Sequence, residues 1–399
     1  MSKQKQVISN AIPIANGSDP IWALETHSLS EVKPEPVRWI VKGPDGGGII
    51  PAGLTVFCGD PGAGKSTLTR AIISAITMGG NDQFQTEGSE ALVLCWEDDA
   101  SSIFLPHILC CGGDPRRVHL VKGIRSDIGS ESSWAPANLG LVRAHLQRHP
   151  NIKLVVADVL ATLTSTGGRD SHNGEDIRGL LMPFQSLGQE MGVGFLMLHH
   201  QNKRTGERAL TRVSGSIQIS GTARLVWMIA VDPDNPELRQ MAFVKGNIPG
   251  KSDGFVFGET SVDLASVEKH ANQCGIQLPP ELDLSLFHGV KISEGPPASA
   301  DELARGMNKQ GQENAKQKAD IFLRERIKQL GEAPAKKLEQ EAKSEGIGKT
   351  ALEQAKKEMK EAGHIRYQKR GSEWWIIGTA PEGETFEAVF GQPTNSLTP

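Results

Sequence analysis

The chain lacks the features that mark disulfide-stapled, secreted or membrane-spanning proteins. Only five cysteines occur in 399 residues (Cys58, Cys95, Cys110, Cys111 and Cys274), and none forms a CxxC pair. An odd count without metal spacing argues against a disulfide framework and a zinc site, and predicts buried thiols in a reducing cytoplasm. No run of about 18 apolar residues is present, so neither a transmembrane helix nor a membrane partner is expected. The opening residues Met1-Ser2-Lys3-Gln4-Lys5-Gln6 start no apolar core of signal-peptide length, so no secretory leader is expected. Hydrophobic content of 38% and charged content of 23% are those of an ordinary soluble protein. The length exceeds the roughly 250–300 residues at which single cores stop growing, which predicts more than one domain.

What is present begins with Gly59-Asp60-Pro61-Gly62-Ala63-Gly64-Lys65-Ser66, a complete phosphate-binding loop followed by Thr67. Glycine is abundant, with 44 residues, so the motif is believed for its context. An apolar run, Leu54 to Cys58, precedes it, and a helical pattern from Thr67 to Ile73 follows. Such a loop turns backbone N–H groups and a helix N-terminus toward phosphate oxygens. Lys65 would reach the β- and γ-phosphates, and the Ser66 hydroxyl would sit on Mg²⁺. The cofactors expected are ATP and Mg²⁺.

Apolar runs at 54–58, 91–96, 118–121, 153–160, 193–199 and 225–231 alternate with helical stretches such as 138–149 and 176–191. Alternation of this kind predicts an α/β fold with a mostly parallel sheet covered by helices. The later runs at 225–231, 241–245 and 254–257 lie close together, which predicts antiparallel hairpins at one sheet edge. The domain reading is a flexible N-terminal arm at 1–36, an ATPase domain at 37–292 and a linker at 293–313. A compact unit at 314–379 and a disordered tail at 380–399 complete it.

Two further strands end in carboxylates. Lys153 to Ala157 leads to Asp158, where P-loop ATPases hold their Mg²⁺. No Glu follows it, because Val159 and Leu160 do. The base that activates water is therefore sought at Glu97, which ends the run from Leu92, with Asp98 as second choice. A third strand ends Leu198-His199-His200-Gln201-Asn202-Lys203, and His200 is a candidate sensor of the γ-phosphate.

That order of P-loop, Glu-ending strand, Asp-ending strand and His-His-x-Asn-Lys strand resembles the RecA-like ATPases. Within them it is most similar to the replicative-helicase-like branch, the plasmid RepA type and related phage and prophage AAA proteins. The resemblance covers about residues 37 to 260. It implies a RecA-like P-loop core, assembly into rings, commonly hexamers, and a basic finger from the neighbouring subunit on the γ-phosphate. Lys245 in Phe243-Val244-Lys245-Gly246-Asn247 matches the family's basic position, while Asn247 stands where DnaB-like helicases have Arg. Arg224 is the other finger candidate. The resemblance also implies that the loop carrying Arg204, Arg208 and Arg212 faces a central channel and contacts single-stranded DNA. As residues alone, these three read equally as an exposed charged loop.

The unit at 314–379 reads as three helices (314–330, 334–344 and 350–362) and a hairpin, His364 to Gln368 against Trp374 to Ile377. That pattern describes a winged-helix domain. Residues 315–370 hold 15 Lys and Arg against 9 Asp and Glu, a local charge of +6 that leaves −10 on the rest of a chain whose net charge is −4. Lys349, Lys356 and Lys357 on the third helix, with Lys369 and Arg370 at the wing tip, are candidate DNA contacts. A protein partner is the alternative. Trp374 and Trp375 should face opposite sides, one of them in the core.

The leading expectation is an ATPase that acts as a ring-forming replicative DNA helicase of a phage, plasmid or prophage, alongside other replication proteins. A helicase loader or recombination mediator is the second reading, and a regulatory DNA- or protein-binding ATPase the third. Asn247 and the lack of a primase or zinc module count mildly against a self-sufficient replicative helicase.

Overall fold

The structure, a computed structural model, describes residues 28–95, 98–125, 131–132, 138–157, 174–200, 209–210 and 221–391. It divides into two units, Met1–Arg38 and Trp39–Pro399. In the first, the described residues form one short 3-10 turn, Leu29–Glu31, capped by the Ser28 side chain.

The second unit opens with an antiparallel pair, β1 (Trp39–Lys42) and β2 (Gly48–Pro51). Strand β3 (Gly53–Gly59) is buried along its whole length and delivers the chain to the P-loop and α1 (Lys65–Met78). Then come β4 (Glu90–Cys95), α2 (Leu105–Cys110), β5 (Val118–Leu120), the small hairpin β6 (Ile124–Arg125) with β7 (Glu131–Ser132), and α3 (Leu139–Arg148). Strand β8 (Ile152–Ala157), α4 (Gly174–Met191) and β9 (Gly194–His200) complete the parallel part. Strands β10 (Leu225–Val231), β11 (Leu238–Gly246) and β12 (Gly254–Thr260), helix α5 (Leu264–Gln273) and β13 (Gly289–Ser293) follow.

Nine strands make one sheet in the order β13-β12-β11-β10-β3-β9-β8-β4-β5. The six from β10 to β5 are parallel. Strands β10 to β13 pair antiparallel, as their close spacing in sequence predicts. This is the expected α/β architecture, consistent with a RecA-like P-loop core. The central strands read as unbroken apolar runs because both faces are covered. On one face Leu68, Ile72 and Ile76 of α1 pack against Phe57, Leu196 and Trp227. On the other, Leu146, Leu181 and Phe184 pack against Val56, Val155 and Met197.

The tract expected as a linker at 293–313 is different. Helix α6 runs unbroken from Ala300 to Leu330. A capping box starts it, with Ser299 and Glu302 each bonding the other's backbone N–H, and no proline interrupts it. Ala300, Leu303 and Ala304 bury against the sheet's second face. The Asp301 carboxylate accepts from the backbone N–H of Ala209 at 2.7 Å.

The far end of α6 joins β14 (Glu332–Pro334), α7 (Ala335–Ser344), α8 (Lys349–Glu361), β15 (Ile365–Arg370) and β16 (Glu373–Gly378). Three helices over a three-stranded antiparallel sheet, ordered β14-β16-β15, fit the expected C-terminal unit. Its core joins Leu323 and Ile327 of α6 to Leu338, Leu352, Met359 and Ile376. Neither tryptophan enters that core. Trp374 is 54% exposed, at the rim of a groove lined by Glu339 of α7 and Glu353 of α8, and Ile376 two residues on is the one that is buried. Part of the tail at 380–399 is also ordered, since α9 (Phe386–Phe390) buries Phe390 against the same core.

Candidate nucleotide site

Two glycines set the backbone of the phosphate loop. At Gly59 a Cβ would lie 2.2 Å from the Ile229 carbonyl of β10, so only glycine allows the strands this close. Gly64 precedes α1 at φ 87°, a left-handed conformation that favours glycine. Gly64, having no side chain, makes no side-chain cap on α1. An anion is the natural partner for such a helix start.

Lys65 lies within this loop and is 5% exposed. Its amine donates to the carbonyls of Gly59 and Asp60, each at 2.9 Å, and lies 3.3 Å from His200 Nδ1. An ammonium can only donate, so Nδ1 is the acceptor in this contact. The pairing Gly59↔His200 in the parallel register of β3 and β9 brings the two strand ends together. The expected P-loop and sensor residues therefore form one constellation. Ala63 is buried beneath the loop, while Pro61 and Gly62 form its exposed tip. Ser66 and Thr67 are half-buried at the helix start. A glycine loop leading into a helix start, a lysine folded onto loop carbonyls and a hydroxyl beside it fit a nucleoside triphosphate with Mg²⁺.

His199, one residue earlier, points to the opposite sheet face. Both its ring nitrogens are buried without a hydrogen-bond partner. Burial, and then the nearby His200 and Lys65, push its pKa down to about 4. The ring is neutral at physiological pH.

Glu97 and Asp158 lie outside the described residues, as do Arg204, Arg208 and Arg212. Asp98, the second choice of base, forms an ion pair with Arg70 of α1, whose side chain is 7% exposed. That pairing ties Asp98 to the packing of α1. Asp99 caps the short π-helical turn Ala100–Phe104, accepting from the backbone N–H and hydroxyl of both Ser101 and Ser102. Those bonds, led by the Ser101 hydroxyl, hold its carboxyl well below the usual range.

The two finger candidates stand near the opposite end of the sheet. Arg224 donates its backbone N–H to Leu54 at 2.8 Å, so its backbone lies about 17 Å along β3 from the loop. Its guanidinium is engaged on α4, where the Gln189 amide, turned to satisfy both its ends, accepts from Nε at 3.2 Å. Lys245, paired with Val226, lies toward the same end and is exposed. Lys245 is thus the more accessible of the two.

Sequence reasoning missed Arg239. It follows the β10–β11 turn and pairs with Val231, and its stem reaches the loop from 175 positions away. Its Cγ and Cδ lie 3.4 and 3.6 Å from the position of a Cβ on Gly64. No local pattern marks such a residue, because an antiparallel return strand alone carries it there.

In the C-terminal unit the candidate DNA contacts separate. Lys349 is exposed at the start of α8, and Lys357 is exposed, 3.8 Å from Glu361. Lys369 is exposed beside the Gly371-Ser372 turn. Lys356 is a correction: its side chain is 3% exposed and bonds Glu339 at 3.0 Å and Glu353 at 2.9 Å. Those carboxylates hold its pKa up against burial. It serves the packing of α7 on α8 and offers no face to DNA. Arg370 is likewise committed, pairing both oxygens of Glu332 and lying 4.8 Å over the Trp375 ring.

Four cysteines are free thiols (Cys58, Cys110, Cys111 and Cys274), and no metal cluster forms among the described residues. Burial raises the Cys110 thiol to about 11 and the Cys111 thiol to about 12, which makes both unreactive. Among the described residues no helix is long and apolar enough to cross a membrane.

Among known families, one described as an AAA domain matches residues 20–206, a little under half of the chain. That span holds the P-loop, both carboxylate-ending strands and the His199-His200 strand. No curated protein matches the chain significantly. The family match and the mostly parallel sheet together support a P-loop ATPase.

Proposed function

We propose that the chain hydrolyses ATP in a ring of identical subunits and uses the reaction to move on single-stranded DNA, as a replicative-type helicase does. One observation carries the multi-subunit part. Both basic finger candidates stand near the end of the sheet opposite their own P-loop, so a basic residue completing the site would come from another copy. Lys245 is exposed for that role, and Arg224 is already engaged at Gln189.

The chemistry divides among named residues. Lys65 would exchange the Gly59 and Asp60 carbonyls for the β- and γ-phosphate oxygens. Ser66 and Asp158 would hold Mg²⁺, whose charge offsets that of the phosphates. A water attacks the γ-phosphorus and gives its proton to Glu97, and the bond to the β–γ bridging oxygen breaks. His200, already at the Lys65 amine, would donate to a γ-oxygen and report its loss to the following loop with Arg204, Arg208 and Arg212. That loop would contact phosphates of the strand, with salt-sensitive affinity.

The C-terminal unit is read as a winged helix that holds duplex or forked DNA against Lys349, Lys357 and Lys369. Asn247, in place of an arginine, favours a second reading, a helicase loader or recombination mediator. A regulatory ATPase is the third. ATP turnover with and without single-stranded DNA, beside strand displacement on a forked duplex, separates them. Stimulation with unwinding supports the motor, stimulation without unwinding the loader, and no response to DNA the regulator.

A further inference from the structure

The phosphate loop has a side toward β9 and a side toward β10. Strand β3 lies between β9 and β10 in the sheet. The Lys65 amine meets His200 on the β9 side. On the other side, the paired ends of β10 and β11 bring Arg239 against Gly64, with the buried Phe257 ring 3.6 Å from the same Cβ position. A triphosphate whose γ end met Lys65 and His200 and whose chain crossed the start of α1 would carry its nucleoside toward β10 and β11.

Arg239 combines its position against Gly64 with a guanidinium held by backbone alone. No carboxylate pairs with it among the described residues. Its Nη1 donates only to backbone carbonyls of its own turn, Pro236 at 2.8 Å and Leu238 at 3.2 Å. Its Nε is buried without an acceptor. The positive charge therefore stands uncompensated at the rim of an anion-binding loop. Two carbonyls fix the guanidinium plane, and the stem is packed on Gly64. A planar cation fixed in this way suits the face of a nucleobase, by stacking and cation–π attraction.

We propose that Arg239 forms the nucleoside-side wall of the site and binds the base end of ATP, an assignment that rests on the P-loop being the ATP site. Titration calorimetry with ATP and with inorganic tripolyphosphate tests it. Arg239→Met keeps the apolar stem on Gly64 and removes the cation. It should weaken ATP about tenfold and leave tripolyphosphate unchanged. Arg239→Lys, a cation without the planar face, should recover only part of the loss. Wild-type ATP affinity in Arg239→Met would overturn the proposal, as would an equal loss for both ligands, which would make the arginine a general phosphate attractor. Lys65→Ala separates the two claims. It should weaken both ligands, and undiminished binding of both would instead remove the P-loop reading beneath the proposal.

Discussion

The Lys65 amine and the His200 ring nitrogen meet at 3.3 Å across two parallel strands. In the proposed mechanism the contact links Lys65, which would grip the phosphates, to His200, which would sense their departure. Lys65 is otherwise held by two carbonyls, so its movement onto a ligand releases His200 from a donor. His200→Ala should lower ATP turnover about 10- to 100-fold, as loss of a transition-state donor does. ATP affinity should change less than about threefold, and stimulation by DNA should disappear. Steady-state kinetics with and without single-stranded DNA check this, and an unchanged kcat would restrict His200 to a structural role.

Glu97→Gln should bind ATP normally and lose turnover about 100-fold or more. Asp98→Asn should keep turnover and lose stability, because the buried Arg70 guanidinium is left without its partner. The cost should be about 1–3 kcal/mol, visible as a lower thermal midpoint. Turnover lost in Asp98→Asn but kept in Glu97→Gln would reverse the two roles.

Much of this was readable from residue order alone. The central strands announced themselves because a parallel sheet buried on both faces demands unbroken apolar runs, as in Leu54 to Cys58. Helix α6 did not, since its first half lacks an apolar stripe. The Ser299–Glu302 capping box signals its start, and among the described residues of its first half a small patch around Leu303 docks it. Lys356 was legible by period: Leu352, Ala355, Lys356 and Met359 share the buried face of α8, and the charge concealed the pattern. Arg239 was not legible, because its place beside Gly64 depends on strand register between distant segments.

The C-terminal unit offers a contrast between exposed and buried lysines. Replacing Lys349, Lys357 and Lys369 together by Gln should weaken duplex DNA binding about tenfold or more near 0.15 M salt and flatten its salt dependence. Lys356→Met should leave DNA affinity unchanged, and fluorescence anisotropy reads both. Equal losses in the two variants would return Lys356 to the DNA face.

His199 predicts an acid sensitivity. Its folded pKa of about 4 lies below the ordinary histidine value of 6.5, so between those values the unfolded chain binds the extra proton. The stability from keeping this ring neutral is fully present above pH 6.5 and is lost as pH falls toward about 4. Chemical denaturation across that window should show a shallower pH slope in His199→Asn than in the wild type. Identical slopes would contradict the assignment.

Mixing two inactive variants tests the shared site most directly. Lys65→Ala removes the phosphate grip of a subunit, and Lys245→Ala removes the cation it lends to the next. Each alone should lack DNA-stimulated ATP turnover. In a one-to-one mixture that exchanges subunits at random, roughly a quarter of interfaces join an intact Lys65 to a neighbour's intact Lys245. Recovered turnover near that fraction is the predicted result. A mixture that forms mixed assemblies and remains inactive, or a Lys245→Ala variant active alone, would contradict a site completed by Lys245 of a neighbour.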